Sequence, residues 1–314
     1  MNAAASGVSG RLLQRLWRYQ EERFPLARHG PLILVFSGAA AGYAGQLSGR
    51  PPHPGAVAAA MAVVLLQFLL MRVADEFTDD NDDRRWRPER PVPRGLVSLA
   101  ELAGLGALAA ALQLAVVVAA APVALPLLAA VWGWFLLMGA EFFRPHWLRR
   151  HLGIYALSHL LIVPLLALLA MALQGPLPSR PGALGAFLLC TYACSFGLEL
   201  GRKTWPPEAE RQGVDSYSAR WGLGRALWIW WLSLVVSALA ALVAAGAIGQ
   251  LGAMGLLLGP LLAISLLRIA AWLQGTGRPS PGRAEPLGGL SAVWILAVYG
   301  GLGWWPWLIA LGHR

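Results

Sequence analysis

Charge is what this sequence has least of. Only 13% of its 314 residues are Asp, Glu, Lys or Arg, about half the share found in an ordinary soluble domain. Lysine is all but missing: 24 of the 25 basic residues are arginine, and the single lysine is Lys203. Cysteine is nearly absent as well. Cys190 and Cys194 stand four apart in an apolar run, where a helix puts both on one face, so a disulfide scaffold and a four-cysteine zinc site are excluded. The first ten residues lack the basic stretch and apolar run of a signal peptide. What fills the chain instead is apolar, at 57% hydrophobic residues and a mean hydropathy of +0.56. This argues against a soluble enzyme and makes lipid the solvent of the fold. The net charge of +9 raises a nucleic-acid binder, but the arginines are scattered among apolar spans rather than gathered on one surface, so no nucleic-acid partner is expected.

Apolar stretches of about 18 residues or more read as membrane-crossing helices, because about 20 residues at 1.5 Å rise cross the hydrocarbon layer. Nine are expected, at residues 31–49, 55–74, 97–119, 122–139, 152–173, 182–200, 223–246, 249–273 and 288–310. The breaks carry turn chemistry, as in Arg50-Pro51-Pro52, Gly175-Pro176 and residues 279–282. Charge asymmetry tests the count independently. With the N-terminus cytoplasmic, 19 basic residues fall on inner segments and only Arg50, Arg180 and Arg314 on outer ones, as the positive-inside rule requires. The expectation is an all-α, multi-pass integral membrane protein, placed in a bacterial inner membrane. Its nine transmembrane helices, 31–314, follow a separate N-terminal segment, 1–30. Within that segment, residues 11–24 place Leu13, Leu16, Trp17, Gln20 and Phe24 at helical spacing opposite several arginines, as in an amphipathic helix on the inner leaflet. The 15 tryptophans lie mostly near expected helix ends and read as an interfacial belt.

Seven of the 16 acids fall between Asp75 and Glu89. Charge beside a hydrophobic span is expensive to place and is functional when it clusters. If the second span continues as helix, Arg72, Glu76, Asp79 and Asp83 recur along one face. Three carboxylates so stacked suit Mg²⁺, which keeps waters and bridges to a phosphate or diphosphate; Asp75 lies beside them. The prolines at 88, 91 and 93 then stop the helix and leave an extended basic segment able to fold over an anion.

Here the sequence resembles a known family. DEFTDDNDD is similar to the NDxxDxxxD motif of the UbiA-type intramembrane prenyltransferases, with Asp75 at the Asn position and Glu76, Asp79 and Asp83 at the three acids. RPERPVPRGLVS, Arg87 to Ser98, resembles the family's RPxRPLPxGxIS continuation. The resemblance implies nine helices around a central cavity with both motif loops cytoplasmic. It also implies Asp75, Glu76, Asp79 and Asp83 as catalytic residues, with Mg²⁺ on Glu76, Asp79 and Asp83.

The second polar loop departs from that pattern. Gly213-Val214-Asp215-Ser216 resembles the family's Gly-Val-Lys-Ser turn, but no DxxDxxxD precedes it. Glu199, Arg202, Lys203, Glu208 and Glu210 stand there instead. Arg202 and Lys203, with Arg90 and Arg94, are expected to bind the diphosphate, and Glu199, Glu208 and Asp215 to support the loop. Elsewhere, Glu141 and Arg144 are expected to pair at a helix end, and His159 to be a hydrogen-bonded packing residue rather than an acceptor-site base. The function implied is Mg²⁺-dependent transfer of an isoprenyl group from a polyprenyl diphosphate to an unidentified acceptor in the membrane. Two alternatives stay open: a non-catalytic transporter or lipid-binding protein on the same fold, and a phosphoribosyl-type transferase using a polyprenyl phosphate acceptor.

Overall fold

A computed structural model describes residues 2–210, 215–276 and 286–312. The protein is 83% helical, with no strand among the described residues. In chain order the helices are α1 (Asn2–Arg23), α2 (Leu26–Ser48), α3 (Pro54–Thr78), α4 (Asp80–Trp86), α5 (Leu99–Ala120), α6 (Leu125–Gly139), α7 (Pro145–Arg150), α8 (Leu152–Leu160) and α9 (Ile162–Ala172). They continue with α10 (Pro181–Arg202), α11 (Tyr217–Trp221), α12 (Leu223–Gly246), α13 (Leu251–Leu273), α14 (Pro286–Tyr299) and α15 (Trp305–Gly312). Arg211, Gly213, Val214, Arg278, Arg283, Arg314 and the break at 279–282 lie outside the described residues.

Eight stretches among the described residues are long and apolar enough to cross a membrane, and they coincide with the second to ninth expected spans. The first expected span falls on α2, which is not in that set. Glycine, alanine, serine and glutamine lower its hydropathy, yet every residue from 37 to 45 is buried. It is therefore an enclosed helix rather than a lipid-facing one. Its small residues permit close approach: a Cβ on Gly42 would stand 2.5 Å from the Gly303 carbonyl oxygen, and one on Gly303 only 2.3 Å from the Ala39 Cα.

Local chemistry sets the boundaries. Pro54 opens α3 behind His53, whose ring nitrogen accepts from the Gly55 amide. Ser98 and Glu101 form a reciprocal capping box on α5. Pro164 has no N–H for the Leu160 carbonyl, and the expected fifth span accordingly divides at Leu161 into α8 and α9. A π-helical turn, Gly300–Trp304, interrupts the last span.

The tryptophan belt is corrected at three positions. Trp230, Trp272 and Trp294 are fully buried. Trp230 donates to Ser291 Oγ at 2.9 Å, and Trp294 to Ser237 Oγ at 2.8 Å. Ser291 in turn donates toward the Gly197 carbonyl, so these bonds join α10, α12 and α14. An indole N–H inside a bundle needs a partner, and a serine one helix away supplies it.

Candidate active site

The C-terminal end of α3 carries the first acidic cluster. At 25 residues and 1.5 Å each, α3 is about 37 Å long, more than the hydrocarbon layer needs, so its last turn projects beyond it. Asp79 joins α3 to α4 in a helical conformation, and the Asp83 amide donates to its carbonyl at 2.8 Å. The helical path thus runs on, and at 100° per residue Asp75, Asp79, Asp83 and Glu76 fall within an arc of about 100°, with Asp75 and Glu76 at its two edges. Their partners, not the helix, divide them.

Glu76 and Asp83 are 1% and 2% exposed, and both are taken up by arginines. Glu76 accepts from Arg23 Nε at 2.6 Å and Arg72 at 2.8 Å, with the Tyr19 hydroxyl at 3.5 Å. Asp83 accepts from Arg87 at 2.9 Å and from Arg90 at 2.6 and 2.7 Å. Asp75 is exposed and, among the described residues, pairs only with Arg72, at 3.4 Å. Asp79 makes no ion pair among the described residues. Burial and the neighbouring Asp83 raise its carboxyl above the usual carboxylate range, against the pull of Arg72, Arg90 and Arg87. No group of three or more His, Cys, Asp or Glu side chains among the described residues could hold a metal ion. The expected Glu76, Asp79 and Asp83 set is therefore not brought together as a chelate, because guanidinium groups already occupy two of its members.

Arg94, expected at the diphosphate, pairs instead with Glu22 of α1 at 2.6 Å. The apolar face of α1 also differs from expectation. Tyr19 is buried with Val73, Val92, Val97 and Leu102, with Leu16 packed beside them, while Leu13 and Trp17 are exposed. Arg15 pairs with Glu101. Thus α1 docks on the first polar loop through Leu16, Tyr19, Glu22 and Arg23.

The second loop leaves α10 at Lys203, whose Nζ lies 2.7 Å from Glu199. Arg202 is exposed and makes no ion pair among the described residues. Asp215 pairs with Arg220 at 3.2 Å, and Glu208 has an interaction of its own. The loop is knotted by Glu210, which accepts from Ser216 and Ser218 at 2.6 to 2.8 Å. At the C-terminal end of α10 a cavity of about 170 Å³ opens among α2, α3, α8, α9, α10 and α14. Its walls are apolar, among them Phe36, Phe68, Val163 and Tyr299, and its polar lining is Ser195, Glu199, Arg202 and His29. His29, at the start of α2, lines the same cavity. Beneath the second loop Tyr217 is buried, and burial, then Glu199 and Tyr155, raise its hydroxyl above the ordinary range.

A cleft beside Asp75 is lined by Glu141, Tyr155 and His159. Glu141 pairs with Arg149 at 2.6 Å, not with Arg144. The reason is the backbone: Glu141, Phe142 and Phe143 have φ of 43°, 50° and 58°, a left-handed run that reverses the chain and brings α7 alongside. His159 is a packing residue, with Nδ1 on the Tyr155 carbonyl at 2.8 Å and its ring stacked on Tyr155.

A family model described as the UbiA prenyltransferase family matches residues 32–285. The chain belongs to the UbiA prenyltransferase family. Two solved structures share the fold. One is the apo structure of a UbiA homolog from Aeropyrum pernix K1, at 17% identity and a TM-score of 0.65, covering 87% of this chain and 96% of that one. The other is a digeranylgeranylglyceryl phosphate synthase, at 17% identity and a TM-score of 0.53, covering 91% and 99%. No curated protein matches the sequence. The sequence reading did not single out Arg23 and Tyr19, which precede the matched region and contact Glu76. Their signal was the spacing of Tyr19 and Arg23, one helical turn apart and facing the acids. It also missed Glu210, whose serine partners come six and eight residues later.

Proposed function

We propose that the protein transfers an isoprenyl group from a prenyl diphosphate to an acceptor within the membrane. The observation that carries this reading is the cavity at Glu199 and Arg202: an apolar slot suited to a lipid tail, with a guanidinium in its lining that makes no ion pair among the described residues. In this reading the chain consists of an N-terminal segment, 1–30, and a membrane domain, 31–314.

The side chains divide the work. Arg202 and Lys203 neutralise the diphosphate, with Glu199 fixing the lysine through their 2.7 Å contact. Of the four motif acids, Asp79 is in no ion pair among the described residues and Asp75 meets Arg72 only at 3.4 Å, whereas Glu76 and Asp83 are buried against arginines. Asp75 and Asp79 fit Mg²⁺, which takes one or two carboxylates together with waters and substrate phosphate oxygens. Bound there, the ion supplies charge stabilisation to the leaving diphosphate. Glu76 and Asp83 are assigned to holding α1 and the Arg87–Arg90 segment in place. The carbon–oxygen bond of the diphosphate ester breaks, and its electron pair leaves with the diphosphate. The allylic cation so formed is shielded from water by the apolar walls. The acceptor attacks that carbon and loses its proton.

A transporter on this fold needs polar groups spread through the bundle, whereas the acids described here gather at the end of it that carries the two polar loops. The test is reconstitution of the purified protein with isotope-labelled prenyl diphosphates, Mg²⁺ and a cell extract. A prenylated product together with released diphosphate is expected. Binding without any turnover across prenyl chain lengths and extracts would turn the reading toward a lipid-binding protein.

A further inference from the structure

The cavity at Glu199 and Arg202 has a mouth and a floor. On α10, Arg202 stands at the end of the helix and Ser195 seven residues further in; on α2, His29 and Phe36 are spaced the same way. Seven residues of helix rise about 10 Å. The charged lining belongs to the mouth, and the hydroxyl of Ser195 is spent on the Tyr192 carbonyl at 2.7 Å. The deep end is closed by two rings. Phe36 and Tyr299 are buried and meet edge to face, with centroids 5.6 Å apart at 70°. Behind them the bundle has no room. A Cβ on Gly303 would overlap the Ala39 backbone, and Trp304 donates to the Val35 carbonyl at 2.9 Å, so α2 and the π turn after α14 touch through their main chains. No tail passes between them.

We propose that Phe36 and Tyr299 set the chain length of the donor, which is a geranyl or farnesyl diphosphate and not one of twenty carbons or more. This rests on the transferase reading above. An isoprene unit adds four chain carbons, about 5 Å when extended at about 1.5 Å per bond, so two units reach from mouth to floor. Arg202 is exposed, and its guanidinium stands outside the mouth, which leaves length for one unit more. A fourth has nowhere to go. At about 170 Å³ the cavity is scarcely larger than one of about 150 Å³ that encloses a six-carbon ring, so a long tail cannot coil inside it, and overpacking a closed floor is costly. Hydrophobicity does not reward the longer tail either, because a tail that leaves lipid for the cavity exchanges one apolar medium for another. Length is therefore selected by fit.

The experiment uses the full chain in lipid nanodiscs with Mg²⁺ and the thiodiphosphates of geranyl, farnesyl and geranylgeranyl groups, compared at equal mole fraction in the lipid. In wild type, geranyl and farnesyl analogues should bind within about threefold of each other and the geranylgeranyl analogue at least about thirtyfold more weakly. Phe36→Ala removes one ring of the floor and frees about one unit of length, so the geranylgeranyl analogue should come within about threefold of farnesyl. Ser195→Leu fills the slot at the same depth and should lose farnesyl while keeping geranyl. Geranylgeranyl bound by wild type as well as farnesyl overturns the proposal and shows the tail leaving sideways past Leu160 and Val163. A geranylgeranyl analogue still excluded by folded Phe36→Ala overturns it too. Should Phe36→Ala fail to fold, Ser195→Leu decides: loss of farnesyl alone supports the proposal, and unchanged binding of both shorter analogues ends it. Binding of no analogue at any length defeats the transferase reading, and the length limit with it, whereas equal binding of all lengths defeats the length limit alone.

Discussion

Replacing Arg202 by alanine should weaken prenyl diphosphate binding about thirtyfold. Arg202 lines the cavity rim and is committed to no carboxylate among the described residues, so its charge is available to a ligand. Two unit charges about 4 Å apart attract by about 4 kcal/mol at an effective dielectric near 20. Arg202 is exposed, and the water it gives up offsets roughly half of that. The remainder, about 2 kcal/mol, agrees with the net worth of a hydrogen bond to a charged group and corresponds to about thirtyfold in Kd. Lys203 behaves differently because it is already paired. Lys203→Ala removes a cation and also frees the Glu199 carboxylate to face the diphosphate, so adding Glu199→Ala should restore part of the affinity. Calorimetry with farnesyl thiodiphosphate in nanodiscs at fixed Mg²⁺ and ionic strength measures both effects. An Arg202→Ala affinity within about twofold of wild type, or a double variant no better than Lys203→Ala alone, would refute the charge argument.

Asp75→Asn and Asp79→Asn should each reduce Mg²⁺-dependent binding of the same analogue by at least about tenfold with little change in thermal unfolding, since Asp79 is in no ion pair among the described residues and Asp75 meets Arg72 only at 3.4 Å on an exposed side chain; loss of folding in both would instead make them structural. Gly303→Ala should cost about 1–3 kcal/mol in an unfolding titration, because its Cβ would meet the Ala39 backbone at 2.3 Å, whereas Gly289→Ala, with nothing within 4 Å, should leave stability unchanged or slightly raised. With Cys190 and Cys194 replaced, Asp80→Cys and Ala209→Cys should react with an impermeant thiol reagent from the same side of the membrane and Pro178→Cys from the other. Labelling of positions 80 and 209 from opposite sides would break the alternation on which the helix count rests.

Hydropathy alone located eight of the helices to within a few residues, because a lipid solvent imposes a length and an apolarity that sequence displays directly. It was least informative for α2, where burial by other helices replaces burial by lipid and small residues replace leucine. The internal breaks divide along the same line. Pro164 announces the division of α8 from α9, but the π turn at Gly300–Trp304 is a response to close packing against Ala39 and has no sequence marker of its own. At the site, the acids of α3 were legible as a group because seven acids in one short segment have few structural uses. Which of them are taken up by arginines was not, since it depends on side-chain contacts, among them one from Arg23, more than fifty residues away in sequence. The Glu141 partner was misread for a similar reason: spacing from Glu141 to Arg144 assumes a helical turn, and the left-handed run removes it.

That left-handed run also bears on the medium in which this protein's stability is meaningful. Three consecutive non-glycine residues in this conformation cost roughly 1 kcal/mol each, in a chain that has 36 glycines and places none there. Glu141 offsets its share through Arg149, and Phe142 through ring contacts with Trp134 and His159. Phe143 touches little of the protein, at 77% exposed, and Trp147 beyond it is half exposed. Both aromatics point outward at the end of α6, where a bilayer presents its headgroup zone. The fold gives Phe143 little to offset its share, which leaves that share to whatever surrounds the protein. Detergent and bilayer then become two different reference states for one sequence: a glycine at 143 would relax the turn in the first and loosen an anchor in the second.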